Sequence, residues 1–412
     1  MIELKSNRWL VLLAGFIFNF CLSGTSAFST FVSPVMDTTG WDMGSVTLAY
    51  TFYNIMICVF GIVIGVLGPR INSKLLMYVG ATLFAAGWII TGFATEIWMF
   101  WLGFGIIAGI GGGCLYNFSV TNTLKWFPDK KGLISGLLLG GAAIGPVFSA
   151  PLATALLGDV GVMASYQIIG IIYGILMFAV GWMVSVPPAN YKPDGWEPDT
   201  CGTSGAANVV STKDYTWNEM LKTPTFWLLF LVFAFACTPY MMMLSAVSTI
   251  GQQQAGMTLA MAAIAVSLLA ISNFVGRLLF GAVSDKLGRY KTLLIAVAID
   301  VIAIVMLGTI TEPIPFMAVM CILGACGGAL LVMFPPITSD NFGSKNSGLN
   351  YAIMFVAYSM AALIGPQLLA YFKNTTGAYT LAFSFSAGLM LVAGVILFIV
   401  MFKRKRECEY TT

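Results

Sequence analysis

Of 20 basic and 17 acidic residues, two alone lie inside long apolar runs: Arg277 within 258–283 and Asp300 within 292–311. An isolated charge in an apolar medium is costly, so each needs a partner or a task. Arg277 carries a permanently charged guanidinium that can present two parallel donors to a carboxylate. Its chemistry is therefore anion recognition, with a structural ion pair to Asp300 as the alternative. Asp300 has three open readings: a proton carrier that responds when Arg277 turns to an anion, a permanent partner of Arg277, or a residue facing a small polar cavity. At 1.5 Å per helical residue, Arg277 stands about 12 Å from Asp285 and Asp300 about 14 Å from Lys291, which puts both at nearly equal depth.

Chemistry of other kinds is excluded by what is missing. The chain has no histidine, so no imidazole base, proton shuttle or His-rich metal site exists. Its eight cysteines, at 21, 58, 114, 201, 237, 321, 326 and 408, never form Cys-x-x-Cys and read as small hydrophobes. Glycine clusters at 109–113 and 140–141 are not followed by Gly-Lys-Ser/Thr, so they serve close helix packing rather than phosphate binding. No nucleophile–base pair, metal cluster or cofactor motif appears. The expectation is a protein that is no enzyme, needs no cofactor or metal and binds no nucleic acid.

The elements that hold the two charges are membrane spans. The chain of 412 residues is 58% apolar and only 9% charged, against about 25% charged in soluble proteins, so the bilayer is its solvent. Runs long enough to cross it fall at 10–33, 46–69, 76–95, 97–123, 133–157, 163–187, 225–248, 258–283, 292–311, 315–338, 347–372 and 380–402. The first is too long for a signal-peptide core and reads as a retained helix. Eighteen of the 20 basic residues fall at the termini or in even-numbered loops, Arg277 and Lys373 being the exceptions. The positive-inside rule then places both termini in the cytoplasm.

A polar stretch, 188–224, divides six spans from six and reads as a cytoplasmic linker with a short surface helix near residues 217–222. The expected organisation is a bundle over 1–187, the linker, and a second bundle over 225–412 with a basic tail. The halves echo each other at an offset near 220: Ile144-Gly145-Pro146 matches Ile364-Gly365-Pro366, and Gly68-Pro69-Arg70 falls opposite Gly288-Arg289-Tyr290. Such registered repeats mark a duplicated unit.

Gly281-Ala282-Val283-Ser284-Asp285-Lys286-Leu287-Gly288-Arg289-Tyr290-Lys291 resembles the G-x-x-x-D-[RK]-x-G-R-[RK] signature of the major facilitator superfamily. The resemblance implies that Asp285, Lys286 and Arg289 clamp neighbouring helix ends in one gating state. In the first-half copy, 61–70, Gly65 stands where the Asp belongs, so the expected inner gate is asymmetric, with Arg70 and Asp129 as its further members. Trp126-Phe127-Pro128-Asp129-Lys130-Lys131-Gly132-Leu133-Ile134-Ser135-Gly136, with Asn7-Arg8-Trp9 and Asn350-Tyr351, resembles the oxalate/formate antiporters and monocarboxylate transporters over essentially the whole chain.

That branch implies a substrate-binding arginine at position 277. It also has cations or acids that this chain lacks. Tyr358 occupies the place of a span-eleven lysine, residues 10–34 hold no lysine, and Asn273 replaces a span-eight acid. One fixed cation favours a single carboxylate and makes oxalate a poor candidate. Around Arg277 the expected pocket draws on Tyr116, which matches the branch's pathway tyrosine, on its neighbour Asn117, and on Phe355 and Tyr358, three apart on one helical face. Asn273, Phe28, Ser29 and Tyr240 are further candidates, with ordinary packing the alternative for every aromatic. Lys373 either draws anions to the outer mouth or is a solvated interfacial lysine.

The expectation is therefore an all-α membrane protein of twelve transmembrane helices in two six-helix bundles. It would be a secondary transporter of a small monocarboxylate such as lactate, pyruvate or formate, working with a proton by alternating access in the inner (plasma) membrane. A carboxylate exchanger and a non-transporting carboxylate sensor are the rivals. The partners are the anion, the proton and the lipid bilayer, and a monomer suffices for the reading.

Overall fold

The computed structural model describes residues 7–188, 191, 193 and 213–409, apart from the side chains of 26, 27, 29, 33, 43, 44, 69, 150, 259, 260, 263 and 403–409. It contains 12 helices long and apolar enough to cross a membrane. They are Arg8–Thr25, Ser45–Leu67, Ser73–Thr91, Ile97–Trp126, Lys131–Val160, Val162–Gly181, Pro224–Gln254, Ile264–Leu287, Arg289–Leu307, Pro313–Phe342, Ser347–Thr376 and Thr380–Phe402, called spans one to twelve. All twelve expected runs are present. Several helices outlast their apolar core, as in span ten, because a helix keeps satisfying its own backbone after it leaves the hydrocarbon.

Span one departs from the expected single helix. It runs as a helix from Arg8 to Leu22, tightens to a 3₁₀ segment over Ser23–Ala27 and resumes over Phe28–Thr39. The hydroxyls of Ser23 and Thr25 donate to the carbonyls of Phe20 and Leu22, each 2.8 Å away. Side chains that compete for carbonyls in this way disturb the regular ladder. Span four has a comparable irregularity, a π-helical stretch over Trp101–Ile107.

The chain forms two compact units, one of Met1–Pro128 with Leu137–Pro193, the other of Asp129–Gly136 with Asp194–Thr412. The opening turn of span five thus belongs to the second unit. The first unit is organised around aromatic rings. Trp88, Phe31, Phe84, Phe100, Phe104 and Tyr166 are all fully buried there.

In the second unit, spans eight and ten approach backbone to backbone. A Cβ on Gly276 would lie 2.5 Å from Ala325 Cα, and one on Gly324 would lie 2.5 Å from the Leu269 carbonyl oxygen. Gly324 and Gly328 are spaced as small-xxx-small, which lets helix backbones meet without side chains between them. The same unit includes the end of the linker. Tyr215 N–H donates to Phe342 O at 2.9 Å, the amides of Asn346 and Asn350 donate to Tyr215 O, and Lys345 N–H donates to Asp214 Oδ1. Gly343, at φ +83, leaves room for Asp214 against it. A short helix, Trp217–Leu221, follows where one was expected, closed at its start by a reciprocal Thr216–Glu219 capping box.

Candidate functional site

Arg277 is buried in span eight, with 6% of its surface exposed. Glycines on span ten make space for it. A Cβ at Gly328 would lie 3.1 Å from Arg277 Cγ, and a Cβ at Gly327 would run into the ring of Tyr240. Tyr240 lies on span seven and is an electrostatic neighbour of Arg277. Asn273, one helical turn before Arg277, is 2% exposed, and its amide donates to Gly324 O at 3.2 Å. Three residues expected near the substrate therefore do meet, on the Gly324–Gly328 track. Asn273 has a structural task there, tying span eight to span ten.

Phe355 and Tyr358 stack with ring centroids 5.0 Å apart, as their spacing on span eleven requires. Tyr358 also meets Phe233 of span seven at 6.0 Å, and Phe233 lies face to face with Phe334 of span ten at 3.8 Å. The pair is thus one end of a continuous aromatic stack, and packing accounts for part of it.

In the first unit, Asn117 is buried and Tyr116 half-buried on span four, with Gly61 of span two close to the Asn117 amide. Phe28, a further candidate with packing as its alternative, belongs to the ring cluster of the first unit. It is buried and packs against Phe104 at 4.7 Å, Tyr50 at 5.6 Å and Phe100 at 6.3 Å, so the first unit's aromatic core explains it. The Ser29 side chain lies outside the described residues.

Asp300, on span nine, is 1% exposed. Neither of its carboxylate oxygens has a hydrogen-bond partner among the described residues, so the pair with Arg277 left open by the sequence is not made. Its electrostatic neighbours are the thiols of Cys237 and Cys326.

At the other end of span eight the two sequence motifs meet. Asp285 accepts the N–H of Gly132 on Oδ1 and the N–H of Leu133 on Oδ2, both at 2.9 Å, capping the start of span five. Gly132 and Gly281 face each other: a Cβ on Gly281 would stand 2.5 Å from Gly132 O. Beside them Lys131 Nζ lies 2.9 Å from Asp340 Oδ1 and donates to Ser339 Oγ at 3.2 Å. Arg289 Nε stands 3.0 Å from Asp340 Oδ2, although its N–H is not aimed along that contact, and Arg289 Nη2 lies 3.9 Å from Asp285. Lys131, Arg289 and Asp340 are all buried.

The residues expected to form a gate are not all gathered in this cluster. Asp285 and Arg289 are in this cluster, four residues apart across the turn at Gly288, where φ is +91. Lys286 and Arg70 are exposed, and Asp129 is half-buried. Lys131 and Asp340, not expected as gate residues, supply the shortest ion pair. At the far end of span eleven, Lys373 donates to Gly377 O at 3.0 Å and lies 4.2 Å from the Tyr379 ring centroid, so its ammonium closes its own helix end.

The family model described as Major Facilitator Superfamily matches residues 11–312. The chain belongs to the major facilitator superfamily. Its relatives place it in the monocarboxylate and oxalate–formate branch of that superfamily. The oxalate:formate antiporter of Oxalobacter formigenes is 30% identical over 374 residues, covering 89% of this chain and 85% of the relative. The uncharacterized MFS-type transporter YhjX of Escherichia coli (strain K12) is 27% identical over 363 residues, 87% of each. Monocarboxylate transporter 12 of Xenopus laevis is 26% identical over 337 residues, 77% of this chain and 72% of that one.

The fold matches the crystal structure of the major facilitator transporter FucP in the outward conformation, with a TM-score of 0.71 at 14% identity over 95% of this chain and 98% of FucP. The relatives are transporters, so this major facilitator protein is a multi-pass membrane protein of the transporter class and not an enzyme. Among the described residues, no group of three or more His, Cys, Asp or Glu could hold a metal ion. The sequence did carry a signal for the Lys131 pairing, since Lys131 stands inside the Trp126–Gly136 motif, but Asp340 lies more than 200 residues away in an unremarkable stretch.

Proposed function

We propose that this major facilitator protein carries a small monocarboxylate of the lactate, pyruvate or formate type, together with a proton, across the inner (plasma) membrane, with both termini cytoplasmic. The carrying observation is Arg277, a buried guanidinium that is the one basic residue inside the apolar runs, set against the Tyr240 phenol and the side-chain-free face of span ten. A carboxylate accepts two parallel N–H bonds from such a group, and the low surrounding polarity strengthens them. With Tyr358 and Asn273 neutral, a second carboxylate finds no fixed cation at either of those two positions. Anion binding neutralises Arg277, and the neutral assembly is cheaper to occlude during alternating access.

Uptake of labelled lactate, pyruvate and formate into proteoliposomes, with internal pH followed by a dye, tests the reading. Arg277→Ala should abolish uptake in a protein that still purifies as a folded species, a loss of about 3 kcal/mol or more than 100-fold in apparent affinity. Uptake retained by that variant refutes the assignment, and uptake without proton movement refutes symport. The oxalate:formate antiporter relative favours a second reading, exchange. Exchange is distinguished by an absolute requirement for an internal counter-anion.

A further inference from the structure

Asp300 is the one charge inside the apolar runs that anion binding at Arg277 leaves unused. Span ten lies beside both. Gly328 faces Arg277, Gly327 faces Tyr240, and Cys326 neighbours Asp300. Residues two apart on a helix point about 160° away from each other, so Cys326, the span-ten neighbour of Asp300, and Gly328, which meets Arg277, are on opposite faces of span ten. The spans packed on span nine are eight, ten and twelve, and Cys237 of span seven also comes near.

The ionisable groups on these spans are few. Span twelve, Thr380–Phe402, has none, and span eight has Arg277, Asp285 and Lys286. Span ten has Cys321, Cys326 and Asp340, and span seven has Cys237 and Tyr240. Asp285 and Asp340 belong to the cluster with Lys131, and Lys286 is exposed. Asp300 thus faces two neutral thiols and no cation. An uncompensated carboxylate in such a place costs several kcal/mol, whereas a carboxylic acid forgoes only a hydrogen bond.

We propose that Asp300 is the proton-binding site of the transport cycle, separate from the Arg277 anion site and joined to it through residues 326–328 of span ten. The proposal rests on the transport reading above. A proton adds to the Asp300 carboxylate when the helices around it admit water from one side, and leaves the acid to water on the other side. Because the glycines at 327 and 328 bear directly on Tyr240 and Arg277, a shift of span ten alters both surroundings together.

The test separates exchange from gradient-driven accumulation in proteoliposomes, with labelled lactate as the probe. Asp300→Asn, a permanent neutral mimic of the acid, should retain lactate self-exchange within about threefold and lose its pH dependence. A pH gradient should no longer drive accumulation, so internal lactate should only equal external lactate. Asp300→Leu, apolar and suited to the apolar surroundings, is the second variant and should behave alike, while Asp300→Glu should restore accumulation. Accumulation retained by either neutral variant overturns the proposal, as does lost exchange in a folded Asp300→Leu protein. Normal exchange by Arg277→Ala would instead remove the anion site, whatever the Asp300 variants do.

Discussion

Removing Lys131 should show how strongly the cluster below span eight holds the second unit together. The Lys131 ammonium and the Asp340 carboxylate are 2.9 Å apart, with side chains 8% and 4% exposed. At an effective dielectric of about 20, a pair so close interacts by roughly 6 kcal/mol. Arg289 also stands 3.0 Å from Asp340 and would keep part of its compensation. Lys131→Met, which keeps the chain length but not the charge, is therefore expected to cost about 3 kcal/mol, at the lower end for breaking a buried pair. Asp340→Asn should cost at least as much, because it strands two cations.

A double-mutant cycle, measured by denaturant unfolding in detergent with a fluorescence readout, should give a coupling energy of about 3 kcal/mol between the two positions. Coupling below about 0.5 kcal/mol would place the pair with ordinary surface ion pairs. It would refute the view that this cluster is a buried, mutually dependent unit.

Other outcomes follow from the same geometry. Gly276→Ala sets a Cβ 2.5 Å from Ala325 Cα and 2.7 Å from its carbonyl carbon, atoms that cannot rotate away. Spans eight and ten must part, at a cost of about 1–3 kcal/mol seen as a lower unfolding midpoint. Lys373→Met should leave apparent anion affinity unchanged in uptake assays, because that ammonium is committed to Gly377 O and the Tyr379 ring. Hydrogen bonds from Thr216 and Lys213 hold the Glu219 carboxyl down to about 2. A depressed acid stabilises the fold above its unfolded value near 4.5 and loses this as pH falls through its folded value. Protection factors of the Trp217–Leu221 amides, which remove the intrinsic pH dependence of exchange, should therefore hold above pH 4.5 and fall towards pH 2, and Thr216→Ala should lower them.

Legibility in the sequence followed the range of the interaction. The spans were readable because each satisfies its own backbone and needs only its own apolar residues. Phe355 and Tyr358 were readable as a pair because one helical turn joins them. Asp285 could be recognised from its motif, but its actual acceptor role, with the amides of Gly132 and Leu133, depends on two segments more than 150 residues apart. Asp340 carried no local mark at all. Phe28 shows why packing had to stand as the alternative for every aromatic: its ring neighbours on spans two and four, Tyr50 and Phe104, come from stretches that no local pattern joins to it. The 3₁₀ segment of span one was missed because Ser23 and Thr25 act on carbonyls that an apolar-run count does not weigh.

The glycine track of span ten changes how a mutational survey of this protein should be interpreted. Gly324, Gly327 and Gly328 offer no polar side chain to an anion, yet any side chain placed there presses on Ser272, Tyr240 or Arg277. A saturation scan scored by uptake would score them as sensitively as the arginine itself. Its hottest positions on span ten would trace a bearing surface against which spans seven and eight pack, and a map of substrate contacts drawn from activity loss alone would come out too large by one helix.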